Sequence, residues 1–203
     1  MKPLILATGS RYKRYLIDKL GIPVVTHSAD VDETRLTDEA PATLVERLSR
    51  SKAAALLTQY PDHLIVGSDQ VAEVDGRQLG KPHVHAAAVE QLTLCSNRRV
   101  LFHTGLCLHN STIGTQRYMQ VITEVKFRSL NREQIERYLT LEQPYDCAGS
   151  FKSEGLGICL FEYIRGDDPN ALVGLPLIAL VSLLAEEGIT LPLINPPDSS
   201  GLP

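Results

Sequence analysis

The chain has 203 residues, 43% apolar and 22% charged, with a net charge of −4. These proportions describe one ordinary globular domain with enough chain for a sizeable core, and they exclude a disordered or fibrous protein. The acidic balance, with a pI of about 5.9, lacks the positive field on which general binding to a nucleic-acid polymer rests.

Leu4-Ile5-Leu6-Ala7 reads as a buried first strand, and the run from Met1 to Ala7 is too short for the apolar region of a secretory signal. Thr8-Gly9-Ser10 turns the chain into a helix over Arg11 to Leu20, with Ser10 as N-cap and Gly21 before Pro23 as the stop. Arg11, Lys13 and Arg14 occupy the first helical turn, where cations oppose the macrodipole. With the free N–H groups of that turn they suit a bound anion; the alternative is a solvated basic face. Val24-Val25-Thr26 reads as a second strand. The loop Asp30-Val31-Asp32-Glu33 carries three carboxylates in four residues, either to hold a hard cation or simply to face water. Pro41 opens a helix to about Gln59, with Leu44, Leu48, Ala55 and Leu56 on its apolar stripe and Lys52 among small residues.

Leu64-Ile65-Val66 reads as a short buried strand ending in Gly67-Ser68-Asp69-Gln70, so that Asp69 emerges at its carboxyl end. Asp75-Gly76 reverses the chain, and Gly80-Lys81-Pro82 brings back a lysine twelve residues after the aspartate. That arrangement fits an active-site edge, or else a hairpin with a solvated Asp and a surface Lys. His83 to Leu94 reads as a helix. Val100–His109 and Tyr118–Phe127 read as an antiparallel pair, and Asn131 caps a helix through Leu141. Cys147 to Gly157 is a polar, glycine-punctuated loop holding Lys152 and Glu154, with the composition of a binding loop.

Cys159–Ile164 reads as a further strand. Val173-Gly174-Leu175-Pro176 starts a helix through Ala185 that is apolar on nearly every side and so is expected to be packed on nearly every side. The segment Leu172–Ala185 is interrupted by Gly174, Pro176 and Ser182 and is shorter than the ~20 residues of a membrane span. Asn195 to Gly201 is rich in breakers, so the folded domain is expected over 1–190, with a disordered tail over 191–203. Cys95, Cys107, Cys147 and Cys159 form no Cys-x-x-Cys pair, which favours reduced thiols in a cytoplasmic chain. Strands alternating with helices, plus the antiparallel pair, predict an α/β fold: a single-domain mixed sheet flanked by helices.

The chemistry-bearing residues are Ser10, Lys13, Arg14, Glu33, Lys52, Asp69, Lys81, Lys152 and Glu154. Several cations with a few carboxylates suit a polyphosphate held by Lys and Arg beside a divalent metal held by carboxylates. Neither a Gly-x-x-x-x-Gly-Lys-Ser/Thr loop nor a Gly-x-Ser-x-Gly elbow is present. His83 and His85, beside Pro82, read as capping or surface histidines rather than as a metal pair.

In this order, Leu6-Ala7-Thr8-Gly9-Ser10 with Lys13-Arg14, Val31-Asp32-Glu33, Lys52-Ala53, Gly67-Ser68-Asp69, Gly80-Lys81-Pro82, Ala148-Gly149-Ser150 and Val173-Gly174-Leu175-Pro176 resemble the Maf family of nucleoside-triphosphate pyrophosphatases. The resemblance covers roughly Leu4 to Gly188. It implies a central nucleotide-binding cleft of the Maf/ITPase-like kind, a divalent cation (Mg, Mn or Co), a nucleoside triphosphate substrate and a homodimer. It also implies hydrolysis between the α- and β-phosphates, with Asp69 as proton acceptor. Ser10, Lys13, Arg14, Lys52 and Lys81 would bind phosphate, and Glu33 and Asp69 would bind metal. Two departures stand out: Gln70 follows Asp69 where many relatives have Thr, and Lys13 replaces the first arginine of a pair. Tyr12, Gln70 and Glu154 resemble the subgroup acting on 7-methyl-GTP, where these positions tune substrate choice. A cationic methylated base suits an aromatic face and a carboxylate. A dTTP/UTP pyrophosphatase and a non-catalytic nucleotide sensor acting in septum formation are the competing expectations.

Overall fold

A seven-stranded mixed sheet organises the protein, in the order β2-β1-β3-β5-β6-β7 with β4 beside β3; the computed structural model describes residues 2–193. The strands are β1 (Leu4–Ala7), β2 (Val24–His27), β3 (Leu64–Val74), β4 (Arg77–Leu79), β5 (Arg99–Asn110), β6 (Thr115–Phe127) and β7 (Phe161–Arg165). The helices are α1 (Arg11–Asp18), α2 (Pro41–Ala54), α3 (His85–Cys95), α4 (Arg132–Glu142) and α5 (Leu177–Glu186). β1 runs parallel to β2 and β3, and all its residues are buried, as its unbroken apolar sequence requires. The other pairings are antiparallel. The predicted α/β single mixed sheet is therefore the observed fold.

Strand β3 is the axis of the molecule. On one edge it pairs with β5 from Leu64 to Glu73. On the other, β1 covers Leu64–Val66 and β4 covers Ala72–Val74, so among the described residues the stretch between has no neighbouring strand. Helix α2 lies on one face, close against bare backbone: a Cβ on Gly67 would stand 2.1 Å from the Ser49 carbonyl oxygen, and one on Gly105 2.8 Å from that of Val45. The opposite face carries two separate packings. Leu4, Leu6, Leu64 and Val66 meet residues of α1 and α5. Ala72, Val74 and Phe102 meet residues of α3 and α4. In the second, Phe102, Phe127, Phe151 and Phe161 pack edge to face with neighbouring centroids 4.8–5.7 Å apart.

Several expected boundaries move. β3 does not end at Gln70 but continues to Val74, because its pairing with β5 runs on through Glu73; Asp69 is thus a mid-strand residue. α2 stops at Ala54 rather than Gln59. α3 starts at His85, after His83 at φ 60°. β7 starts at Phe161, after a 3-10 turn over Leu156–Leu160. α5 starts at Leu177, because Gly174 at φ 117° closes a separate 3-10 turn over Ala171–Val173. Nor is α5 packed all round: Leu177, Ala179, Leu180, Leu183 and Leu184 are buried, while Ile178 is 55% exposed. No helix of the described residues is long and apolar enough to cross a membrane. Leu191 and Leu193, placed in the tail by sequence, pack against the α1–α5 core. Residues 194–203, the rest of the expected tail, lie outside the described residues.

Candidate active site

A cleft of about 820 Å³ opens at the unpaired stretch of β3. Successive side chains of a strand point to opposite faces. Asp69 therefore turns towards α2, and Gln70 towards the turn over 171–174. Both line the same cleft, because no strand of the described residues covers the edge between β1 and β4.

The α2 side is charged. Lys52 Nζ lies 2.6 Å from Asp69 Oδ1 and 2.7 Å from Glu33 Oε1. Burial opposes the Lys52 charge, but Asp69 and Glu33 together outweigh it and raise the lysine's pKa. Glu33 is held below its ordinary value: burial works against the charged form, and Lys52, Lys81 and Lys13 overcome it. Lys13 reaches this charged group from α1 on the other face, its stem passing Gly174, and donates to the Ser68 carbonyl at 2.5 Å. Loss of hydration brings its pKa down to about 8, with Asp69 opposing the shift and Lys52 adding to it. The Asp69 N–H donates to Ser49 Oγ at 3.0 Å. Lys13 thus satisfies a backbone carbonyl on the edge that β1 and β4 leave unpaired, and Ser49 adds a side-chain acceptor for the Asp69 N–H.

The loop carrying Glu33 is held in place by Glu39 and Arg47. Arg47 donates to both carboxylate oxygens of buried Glu39 at 2.7 and 2.8 Å, and to the Thr34 carbonyl at 3.0 Å. The Leu36 N–H adds a third hydrogen bond to Glu39 at 3.0 Å. The paired Arg47 guanidinium draws the Glu39 pKa down to about 2. Asp32 Oδ1 accepts from Thr34 N at 2.8 Å, tightening the turn beside Glu33.

On the opposite face the contacts of Gln70 and Ser68 are neutral. Gln70 Nε2 lies 3.0 Å from Thr104 Oγ1, 2.8 Å from the Ala171 carbonyl and 3.1 Å from that of Leu172. Ser68 Oγ donates to the Gly174 carbonyl at 3.0 Å. The turn itself is tied to α5 by buried Asp168, which accepts from Ile178 N at 2.6 Å and Asn170 N at 2.9 Å. At the rim, Ser10 caps α1 by accepting from Lys13 N at 3.4 Å. Arg11 donates to Tyr12 Oη at 2.8 Å, and its guanidinium carbon lies 4.9 Å from the Tyr12 ring centroid. Tyr12 Oη in turn donates to Asp146 at 3.3 Å.

Of the predicted residues, Ser10, Tyr12, Lys13, Glu33, Lys52, Asp69, Gln70, Lys81 and Glu154 all line this cleft. Arg14 does not: it is exposed on α1 and outside the lining. Lys152 also falls outside it, because its Nζ donates to the Glu142 carbonyl at 3.1 Å and pairs with that carboxylate at 3.4 Å. His85 lies against Tyr145 Oη at 2.9 Å and Glu136 at 2.6 Å, in keeping with a surface role. Sequence reasoning missed Ser49, Thr104, Asp168 and the Glu39–Arg47 pair. None lies in a recognisable motif, and the spacing of Glu39 and Arg47 flags only an ion pair.

Among the described residues, no three or more His, Cys, Asp or Glu side chains gather as a metal cluster. Two carboxylates, however, converge on one cationic nitrogen, that of Lys52. A pair of hard oxygen donors already sharing a positive charge fits a divalent cation whose remaining ligands are phosphate oxygens and water.

A family model described as Maf-like protein matches residues 3–187. A protein of Alcanivorax borkumensis named 7-methyl-GTP pyrophosphatase is 52% identical over 190 residues, covering 94% of this chain and 96% of that protein. A protein of the same name from Pseudomonas syringae pv. tomato is 51% identical over 192 residues, covering 95% of this chain and all of its own. A third, from Methylobacillus flagellatus, is 49% identical over 189 residues, covering 93% and 98%.

Proposed function

Since the chain belongs to the Maf-like protein family, we propose that it is a nucleoside-triphosphate pyrophosphatase acting on 7-methyl-GTP, in the cytoplasm and as a homodimer. Three proteins about half identical to it along nearly their whole length carry that name. The observation that carries the reading is the convergence of Asp69, Glu33 and three lysines with Tyr12, Gln70 and Glu154 on one cleft.

Lys13, Lys52 and Lys81 offset the charge of the triphosphate, and the N-terminus of α1 with Ser10 adds N–H donors at the rim. Asp69 orients a water and takes its proton as the oxygen attacks the α-phosphorus. The bond from that phosphorus to the bridging oxygen breaks, and pyrophosphate leaves with the bridging oxygen. Ser49 fixes the strand at Asp69, and the Glu39–Arg47 pair fixes the loop at Glu33. Glu33 and Asp69 would hold a divalent cation (Mg, Mn or Co), whose chemistry when bound is to polarise the phosphates. The Tyr12 ring already takes the planar cation of Arg11 on one face, which is the chemistry a methylated guanine asks of it. Glu154 supplies a carboxylate in the same cleft.

The test is pyrophosphate release from a panel of canonical and modified nucleotides with magnesium or manganese. Turnover of 7-methyl-GTP in preference to GTP, UTP and dTTP is expected. Release from UTP and dTTP without release from 7-methyl-GTP would reject the substrate, and no release from any nucleotide would reject the enzyme.

A further inference from the structure

Which way the Gln70 amide faces is decided by its neighbours. The carbonyls of Ala171 and Leu172, at 2.8 and 3.1 Å, can only accept. Thr104 Oγ1 stands 3.0 Å from the Ala171 carbonyl, so the single hydroxyl proton is donated there and the hydroxyl oxygen is left as an acceptor towards Gln70. Three acceptors therefore surround one end of the amide. Turning the amide over would set its oxygen against two carbonyls and a hydroxyl whose proton is already committed. Gln70 Oε1 receives no hydrogen bond from the described residues, nor is it among the buried side-chain atoms lacking a partner, so it is the group presented to the cleft.

We propose that Thr104, fully buried on β5, is a positioning residue for base selection: by spending its proton on Ala171 it locks Gln70 with Oε1 as a fixed acceptor for an N–H of the nucleobase. This rests on the reading of the cleft as a nucleotide site. It deepens that reading by giving the recognised edge a chemical sense. With the Glu154 carboxylate at the same cleft, the protein offers acceptors on this side, and these match the donor-bearing edge of a guanine rather than an edge that only accepts. Asp168 contributes indirectly, since it holds to α5 the turn whose carbonyls orient the amide.

Steady-state kinetics of Thr104→Val and Thr104→Ser with 7-methyl-GTP and UTP test the assignment. Thr104→Val keeps the shape and removes the hydroxyl. It is expected to raise KM for 7-methyl-GTP by about tenfold, the scale of one hydrogen bond, with kcat within about twofold. Thr104→Ser is expected to restore the parent KM. An unchanged KM in Thr104→Val, or equal losses of kcat with both nucleotides, would overturn the proposal. Nitrogen-15 spectra of the unaltered protein supply a measurement independent of any variant. The Gln70 side-chain amide protons are expected to exchange slowly with solvent, and fast exchange would overturn the locked orientation. If the unaltered protein hydrolyses no nucleotide, the functional reading fails, whereas the exchange measurement still decides the orientation.

Discussion

On the α2 side of β3, Asp69 meets Lys52 and Glu33 through full charges, whereas on the other side Gln70 meets Thr104 and two backbone carbonyls through neutral hydrogen bonds. The two residues are adjacent in sequence, yet one faces a flexible-length ammonium and the other a rigid ring of acceptors. Charge–charge contacts can be re-made with an incoming phosphate, since Lys52 can exchange one anion for another. A neutral amide locked by carbonyls cannot re-orient without leaving polar groups unpaired, so it is suited to discrimination. Proposed chemistry and proposed selection are thereby separated by the pleat of a single strand.

The largest way to break this comparison is Asp69→Asn, which keeps shape and removes charge. It should lower kcat by at least ~10²-fold with every nucleotide, the scale of a positioned acid–base group. Near-parent turnover measured by pyrophosphate release would remove Asp69 from that role. The charged group around Asp69, which includes Lys13, should also be sensitive to pH. The Lys13 pKa is about 8, against an ordinary 10.5, so the ammonium is lost above pH 8. The expected fall in kcat/KM there is up to ~tenfold per pH unit, as for loss of a single required proton.

Stability should move the other way. Between pH 8 and 10.5 the unfolded chain binds more protons at this residue than the folded one, so the Lys13 contribution to stability rises with pH. Melting curves of the protein and of Lys13→Met across that window should diverge in that sense, and parallel curves would contradict it. Ser49→Ala should cost about 0.5–1.5 kcal/mol in denaturant unfolding, because it removes the side-chain hydrogen bond to the Asp69 N–H. The smallest effect is expected for Arg14→Ala. This residue is exposed and outside the cleft lining, so its kcat/KM should change by about twofold or less and by less than that of Lys13→Ala. An equal loss in the two variants would bring Arg14 back among the phosphate contacts.

The motif residues were legible because each sits beside a local signal: Ser10 before a helix, Glu33 in an acidic loop, Asp69 after an apolar run, Lys81 after glycine. Lys152 carried the same kind of signal and misled, since its direction is set by Glu142, ten residues earlier on α4. Ser49 and Thr104 gave no signal at all. A hydroxyl inside a regular helix or strand looks the same in sequence whether it faces water or takes the one hydrogen bond that fixes a neighbouring side chain. The extent of β3 was missed for a related reason: its length comes from pairing with β5 across some forty residues, not from its own apolar run.

By itself, the sequence determined the α/β alternation, the apolar first strand, the capped helices and the residue types suited to a polyphosphate, because these follow from local periodicity and local chemistry. Only the tertiary structure decided that β1 and β4 leave the middle of β3 uncovered, so that Asp69 and Gln70, on opposite faces, share one cleft. The physical reason is that strand register and the close approach of α2 over Gly67 and Gly105 are non-local. They are set by what packs against the strand and not by the order of residues along it.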